Sequence, residues 1–216
     1  MSSSTATLPS RTGTDATWLR LVQLSVVVIV VPLAILAIVN TYFTTVSDSH
    51  FRDAADYWLT APGLPIAVAG IGIALGVHKL QRGADGRLGT IGMWLNALAL
   101  IELFVQLLDS VVVGAEVRWG PSYPVCTAAS LIGLALLAAG SWRTGILPRW
   151  MLGLWPLVWT VGSFAAVGPM PFVLVAFLVA LGVTLTRRLG SGAACARRGP
   201  RPASRPGSSA AEVREG

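Results

Sequence analysis

Charged residues are scarce in this chain, and their scarcity excludes an ordinary soluble domain. Asp, Glu, Lys and Arg make up 12% of the 216 residues, whereas hydrophobic residues make up 54%. Soluble domains contain about 25% charged residues. The mean hydropathy is +0.68. So little charge, combined with long apolar runs, predicts an all-α polytopic membrane protein.

Cysteine and histidine are also rare, which argues against a disulfide scaffold and against a zinc or haem centre. The chain has two of each, namely Cys126, Cys195, His50 and His78. Neither pair has the spacing of a metal or redox site. The sequence lacks a Walker A loop, HExxH, GxSxG and the Rossmann glycine pattern, so we expect no cofactor. No reaction class follows from its motifs.

Six apolar stretches approach or exceed the roughly 20 residues that a membrane-spanning helix needs. They lie at about 18–40, 62–80, 89–114, 122–142, 147–167 and 170–187. The loops between them are short, which predicts one bundle of six transmembrane helices at 18–188. The leader at 1–17 and the basic tail at 189–216 are predicted to be disordered, the tail because it lacks residues for a core.

The distribution of Lys and Arg predicts the orientation of these spans. The leader, the second and fourth loops and the tail contain nearly all of them, while the opposite side has only Arg52 and Arg118. Because positive residues favour the cytoplasm, both termini are predicted to be cytoplasmic, in a plasma (inner) membrane. The net charge of +6 therefore indicates membrane orientation and contact with anionic lipid, and we expect no nucleic-acid partner.

The external segment at about 43–61 is predicted to be a short helix lying on the outer membrane surface. Its apolar face would contain Phe51, Ala55, Trp58 and Leu59. Its acidic residues, including Asp56, would lie largely towards water. The alternative is a lid over a cavity, since functional lids are often loops of this length.

Small residues four apart predict where helices approach closely. Gly72 and Gly76 form such a pair in the second span, and Ala129 and Gly133 in the fourth. Within a bundle these pairs favour internal packing, with dimerisation as the alternative. Pro156 is predicted to kink the fifth span.

Three polar residues in the third span form the candidate site. At about 100° per residue, Gln106 lies about 40° from Glu102, and Asp109 about 20° to the other side. Glu116 would return to a similar direction at the outer end. Glu102 is predicted near mid-membrane, with Asp109 about 10 Å nearer the outer surface.

A carboxyl group in lipid needs a physical justification. Charged residues at a helix centre cost about 2.5–3.5 kcal/mol on insertion scales, and desolvation favours the uncharged form of Glu102. Together with Asp109, nearer to water, it could support acid–base chemistry or a proton path. The alternative is that Glu102 and Gln106 only bridge helices, for example to Thr160 or Ser163, through bonds averaging about 0.6 kcal/mol.

The segment RTGILPRWMLGLWPLVWTVGS, residues 143–163, contains a GxLPRW motif. Its residues are Gly145, Leu147, Pro148, Arg149 and Trp150. This motif resembles the start of the fifth helix in small multi-pass membrane proteins of high-GC Gram-positive bacteria, many of unknown function. The resemblance covers about a tenth of the chain. It implies a bacterial inner membrane and no particular activity.

Three functional hypotheses remain open from the sequence. The first is a polar pocket at Glu102, Gln106 and Asp109 that binds a small or lipid-like molecule or a proton. The second is an integral membrane enzyme, an isomerase or cyclase acting on an apolar substrate, with Glu102 and Asp109 as catalytic candidates. The third is a non-catalytic subunit or immunity-type protein, whose polar stripe packs against a membrane partner or a second copy of the chain.

Overall fold

The computed structural model describes residues 13–42, 51, 54–117, 120–165 and 169–197. These residues form helices and turns, without a β-strand among them, which confirms the all-α prediction for this part of the chain. The α-helices are α1 (Gly13–Tyr42), α2 (Ala54–Thr60), α3 (Gly63–Leu80), α4 (Gly86–Val113), α5 (Ser122–Ser141), α6 (Arg149–Trp159) and α7 (Met170–Arg197). A π-helical segment, Thr160–Ala165, continues α6.

Five helical segments of the described chain are long and apolar enough to cross a membrane. They are Asp15–Val39, Asp56–Leu80, Gly86–Val113, Ser122–Ser141 and Met170–Arg188. They correspond to five of the six predicted spans and support a multi-pass membrane protein. The remaining predicted span, the fifth, at 147–167, contains the 11 residues of α6 and the 6 residues of the π-helical segment.

Pro156 lies inside α6 and accounts for the irregularity of this region. Proline has no N–H with which to continue the helical hydrogen bonds, and π-helical turns often follow such an interruption. The hydroxyl of Thr160 donates to the Pro156 carbonyl at 2.8 Å, and that of Ser163 to the Trp159 carbonyl at 2.6 Å. These short bonds satisfy backbone oxygens where the regular pattern changes.

The long helices pack as a closed ring. Going round it, α1 contacts α3, α3 contacts α4, α4 contacts α5, α5 contacts α6, and α6 with its π-helical segment contacts α7, which returns to α1. Large apolar side chains fill the centre, led by Trp155 and Trp159, which are 1% and 2% exposed. Leu100 and Leu174 are buried with them. The ring therefore has a packed apolar core.

Glycines allow two pairs of helices in this ring to approach closely. Gly72 and Gly76 of α3 face α1, where an added Cβ would meet the side chains of Ser25 and Val22. Gly133 of α5 faces α4, where an added Cβ would lie 2.6 Å from the Asn96 backbone nitrogen. The predicted internal packing of these small residues is therefore confirmed.

The short helix α2 lies beside α1, within the segment predicted to rest on the outer surface. A groove of about 250 Å³ between them is lined by Ile35, Ile38, Val39 and Trp58. Asp56, predicted to lie towards water, is instead 5% exposed, so that prediction is wrong. It lies in the first turn of α2, and contacts of α2 with α1, α3 and α4 enclose it. Residues 43–50 of the predicted surface segment lie outside the described residues.

Both terminal helices extend further than predicted. Helix α1 begins at Gly13, inside the predicted leader, and α7 continues to Arg197, past the predicted start of the tail. Residues 1–12 and 198–216 lie outside the described part of the chain.

Candidate functional site

The polar stripe lies on α4 as predicted, and its members are buried to different extents. Gln106 is buried, at 5% exposure, and Glu102 and Asp109 are half-buried. The stripe ends sooner than predicted, because α4 stops at Val113 and Gly114 follows in a left-handed conformation, with φ 68°. Glu116 is exposed in the segment beyond the helix, so its predicted place in the stripe is wrong.

Gln106 connects the stripe to α5. Its Nε2 lies 3.4 Å from Oε1 of Glu102, one turn earlier on α4, and 3.9 Å from Sγ of Cys126 on α5. The contact with Glu102 is long, because typical N–H···O bonds measure about 2.7–3.2 Å. The contact with Cys126 is weak, because sulfur is a weak acceptor. The half-buried Glu102 carboxyl therefore receives weak support from its neighbours.

The cross-helix partners suggested by the sequence bond elsewhere. The hydroxyls of Thr160 and Ser163 donate to carbonyls of their own helix. Bonds of these two hydroxyls therefore do not bridge Glu102 to α6. The suggestion that these two residues are the partners is therefore wrong, because each hydroxyl donates to the carbonyl four residues earlier, as Ser and Thr side chains commonly do in helices.

A second polar contact lies deeper along the same interface between α4 and α5. Asn96 and Ser130 are 1% and 0% exposed, and the Ser130 hydroxyl donates to Oδ1 of Asn96 at 2.7 Å. Nearby, an added Cβ on Gly92 would lie 2.5 Å from the Gly133 carbonyl oxygen. Close backbone approach thus lets short polar side chains meet in this interface.

Near the C-terminal end of α4, the Ser110 side chain bonds to the backbone on both sides of the helix end. Its hydroxyl donates to the Gln106 carbonyl at 2.9 Å and accepts from the Val117 N–H at 3.1 Å. The residues after the helix are thereby tied back to the turn that contains Gln106. The candidate site combines a carboxyl, an amide and a thiol on two helices, a set able to exchange a proton or bind a polar group.

A second polar cluster, which the sequence analysis missed, lies where α3 turns into α4. It contains His78, Gln81 and Asp85, with Ser141 from the end of α5. In the sequence, the basic residues of the loop between these helices indicate membrane orientation and say nothing about this cluster. The signal that could have identified the cluster is a single acidic residue in the segment LQRGADGR, seven positions after a histidine at a helix end.

Comparison of the chain with protein-family models, curated proteins and solved structures finds no match.

Proposed function

We propose that this protein binds a small or lipid-like molecule, or a proton, at the polar site formed by Glu102, Gln106 and Asp109. The contact that carries the proposal is the 3.4 Å separation between Gln106 Nε2 and Glu102 Oε1. An acid in the middle of a membrane helix is costly, and such groups usually pair closely or mark a functional pathway. Glu102 is weakly paired, which favours function over helix–helix bridging.

The arrangement also limits what the site would bind. Gln106 is buried against α5, whereas Glu102 is partly accessible from the surface of α4. A ligand would therefore meet the carboxyl first, surrounded by apolar side chains of the bundle. A mostly apolar molecule with one hydrogen-bonding group suits such a site, and a proton would need no space.

The same geometry supports a membrane enzyme less well. Acid–base catalysis needs two groups placed on either side of a substrate. Glu102 and Asp109 are seven residues apart on one helix, which corresponds to about 10 Å along the axis. In the third alternative, a partner helix would cover the half-buried carboxyls. We therefore place binding first, an enzyme second and a subunit third.

We further infer six spans, with both termini in the cytoplasm of a bacterial plasma membrane. Helix α6 and its π-helical segment would form the fifth crossing, since they occupy a full position in the ring between α5 and α7. An even number of crossings would put the basic leader and tail on one side, in agreement with the preference of positive residues for the cytoplasm.

The first test is the thermal stability of Glu102→Leu in detergent at neutral pH. Removing the acid should increase the free energy of unfolding by about 2 kcal/mol, which is the insertion cost of the acid minus the contribution of a weak interhelical bond. The melting temperature should rise by about 4–8 °C. Val105→Leu, at an exposed position of the same helix, is the control and should change little. A lower melting temperature for Glu102→Leu would show that the carboxyl stabilises the bundle.

A second measurement addresses binding itself. Native mass spectrometry of the purified protein should reveal a retained lipid-like molecule that Glu102→Gln releases. If no molecule is retained, proton uptake by the wild type and Glu102→Gln can be compared in unbuffered detergent. Equal uptake by both proteins, with no retained molecule, would rule out the proposed site.

A further inference from the structure

The turn between α3 and α4 buries two of its residues and exposes the three between them. Gln81 and Asp85 are each 4% exposed, whereas Arg82, Gly83 and Ala84 are exposed. Arg82 adopts a left-handed conformation, with φ 51°, which a non-glycine residue keeps only when its surroundings hold it there. Its guanidinium pairs with Asp15 of α1, and the Nε–Oδ1 distance is 3.1 Å. The turn is therefore held in one conformation.

One oxygen of Asp85 is held by a histidine. Nδ1 of His78, on the last turn of α3, lies 2.6 Å from Oδ2 of Asp85. Because a carboxylate accepts, the imidazole donates its Nδ1–H in this pair. The side chain of Asp85 is fully buried and that of His78 is 11% exposed.

Gln81 is held in a similar way through the nitrogen of its side-chain amide. Its Nε2 donates to the Ser141 hydroxyl at 2.6 Å, and that hydroxyl donates to the Leu137 carbonyl, also at 2.6 Å. Ser141 is 1% exposed. The bond to Ser141 assigns the amide orientation and leaves Oε1 as the remaining polar atom of the side chain.

Each of these two side chains thus has one fixed atom and one unpartnered oxygen. Among the described residues, Oδ1 of Asp85 and Oε1 of Gln81 are buried and receive no hydrogen bond. Buried polar atoms without a partner are rare in proteins. Both atoms are acceptors, so they would be satisfied by a cation or a hydrogen-bond donor.

Two glycines make room for this arrangement. An added Cβ on Gly89 would overlap the Asp85 carboxyl group, which folds over that position. An added Cβ on Gly140 of α5 would lie 2.7 Å from both the Asp85 carbonyl oxygen and the Gly89 nitrogen. The carboxyl therefore occupies a space that any larger residue at position 89 would fill.

We propose that Asp85 Oδ1 and Gln81 Oε1 bind a small monovalent cation, with His78 and Ser141 as positioning residues that orient these two ligands. Oxygen ligands suit hard cations, and groups that bond to a ligand residue from behind typically fix its direction. One carboxylate balances a single positive charge.

The chemistry fits either a sodium ion or the ammonium group of an amine, since both are compact and carry one charge. The test is a thermal melt of the purified full-length protein in detergent, with choline chloride keeping the ionic strength constant. Sodium chloride and ammonium chloride are titrated separately. Binding at one hundred times the dissociation constant should raise the melting temperature by about 5–10 °C.

The variants locate the site. Asp85→Asn and Gln81→Leu should abolish the cation-specific shift, and Ser141→Ala should weaken the apparent affinity by about 10–100-fold. Glu102→Gln should keep the full shift, which separates this site from the one on α4. If Asp85→Asn does not fold, Gln81→Leu and Ser141→Ala provide the same comparison.

A shift with sodium indicates a site for an alkali-metal ion, and a shift with ammonium alone indicates a site for an ammonium group, free or carried by an amine. Either result supports the proposal when the variants respond as described. Equal melting in sodium, ammonium and choline would overturn it. So would a cation-specific shift that survives in both Asp85→Asn and Gln81→Leu.

Discussion

The close approach of α4 and α5 predicts that Gly92→Ala destabilises the bundle. An added Cβ at this position would overlap the Leu137 backbone nitrogen and lie 2.5 Å from the Gly133 carbonyl oxygen. Both are backbone atoms, which cannot rotate away as the end of a side chain can. The two helices would have to separate, and their separation would stretch the 2.7 Å bond between Ser130 and Asn96.

The size of the effect follows from three terms. Overpacking typically costs about 1–3 kcal/mol, and the weakened buried hydrogen bond costs about 1 kcal/mol more. Alanine is favoured over glycine in a helix by about 1 kcal/mol, which offsets part of this loss. The free energy of unfolding should fall by about 2 kcal/mol, which lowers the melting temperature by about 4–8 °C.

Gly153 is the matched control for this substitution. It is exposed on α6, and nothing lies within 4 Å of its added Cβ. Gly153→Ala should therefore melt at or slightly above the wild type, because only the helix-propensity term remains. A fluorescence melt of the detergent-purified proteins measures both. The reasoning about this interface fails if Gly92→Ala melts as high as Gly153→Ala.

Two further predictions concern topology and the turn between α3 and α4. In a cysteine-free background, a cysteine that replaces Ser208 should react with an impermeant maleimide only after the cells are opened. A cysteine that replaces Ser49 should react in intact cells. The reverse pattern contradicts cytoplasmic termini. Asp15→Asn should lower the melting temperature slightly at low salt and hardly at all in high salt, because exposed ion pairs are screened. The hydrogen bond from Arg82 to Asp15 and the charge of Asp15 raise the pKa of Arg82 above its ordinary value, so the pair keeps its contribution to stability through the neutral and moderately alkaline range and loses it only when Arg82 deprotonates at strongly alkaline pH. The Asp15→Asn difference should therefore stay constant between pH 7 and pH 10; a change across that range, or a salt-independent difference, argues against the pair.

The length of the apolar stretches made most of the helix positions predictable. Helices α1, α3, α4, α5 and α7 all lie where the apolar stretches predicted them, since a lipid-facing helix must be apolar along its whole length. The fifth stretch showed the limit of this reasoning. Its composition predicted a spanning helix with a kink at Pro156, whereas the structure has a short α-helix containing Pro156 followed by a π-helical segment.

The candidate sites were predictable in part. Helical periodicity placed Glu102, Gln106 and Asp109 on one face, because they belong to one helix and their spacing along the chain determines the direction of each side chain around the helix axis. The end of α4 at Gly114 depended on local backbone conformation, so Glu116 was misplaced. The contact between Gln106 and Cys126 depends on how two helices cross, which no single segment specifies.

The sequence by itself determined the class of protein, the approximate helix positions and the polar stripe, because each follows from composition or from spacing within one segment. The tertiary structure alone decided which helices are neighbours, how weakly Glu102 is paired, and how His78, Gln81, Asp85 and Ser141 meet. Ser141 lies 60 positions from Gln81, and their 2.6 Å bond exists only because Gly89 and Gly140 let the ends of α4 and α5 approach closely. Contacts of this kind arise from packing between distant segments, and local sequence patterns contain no record of them.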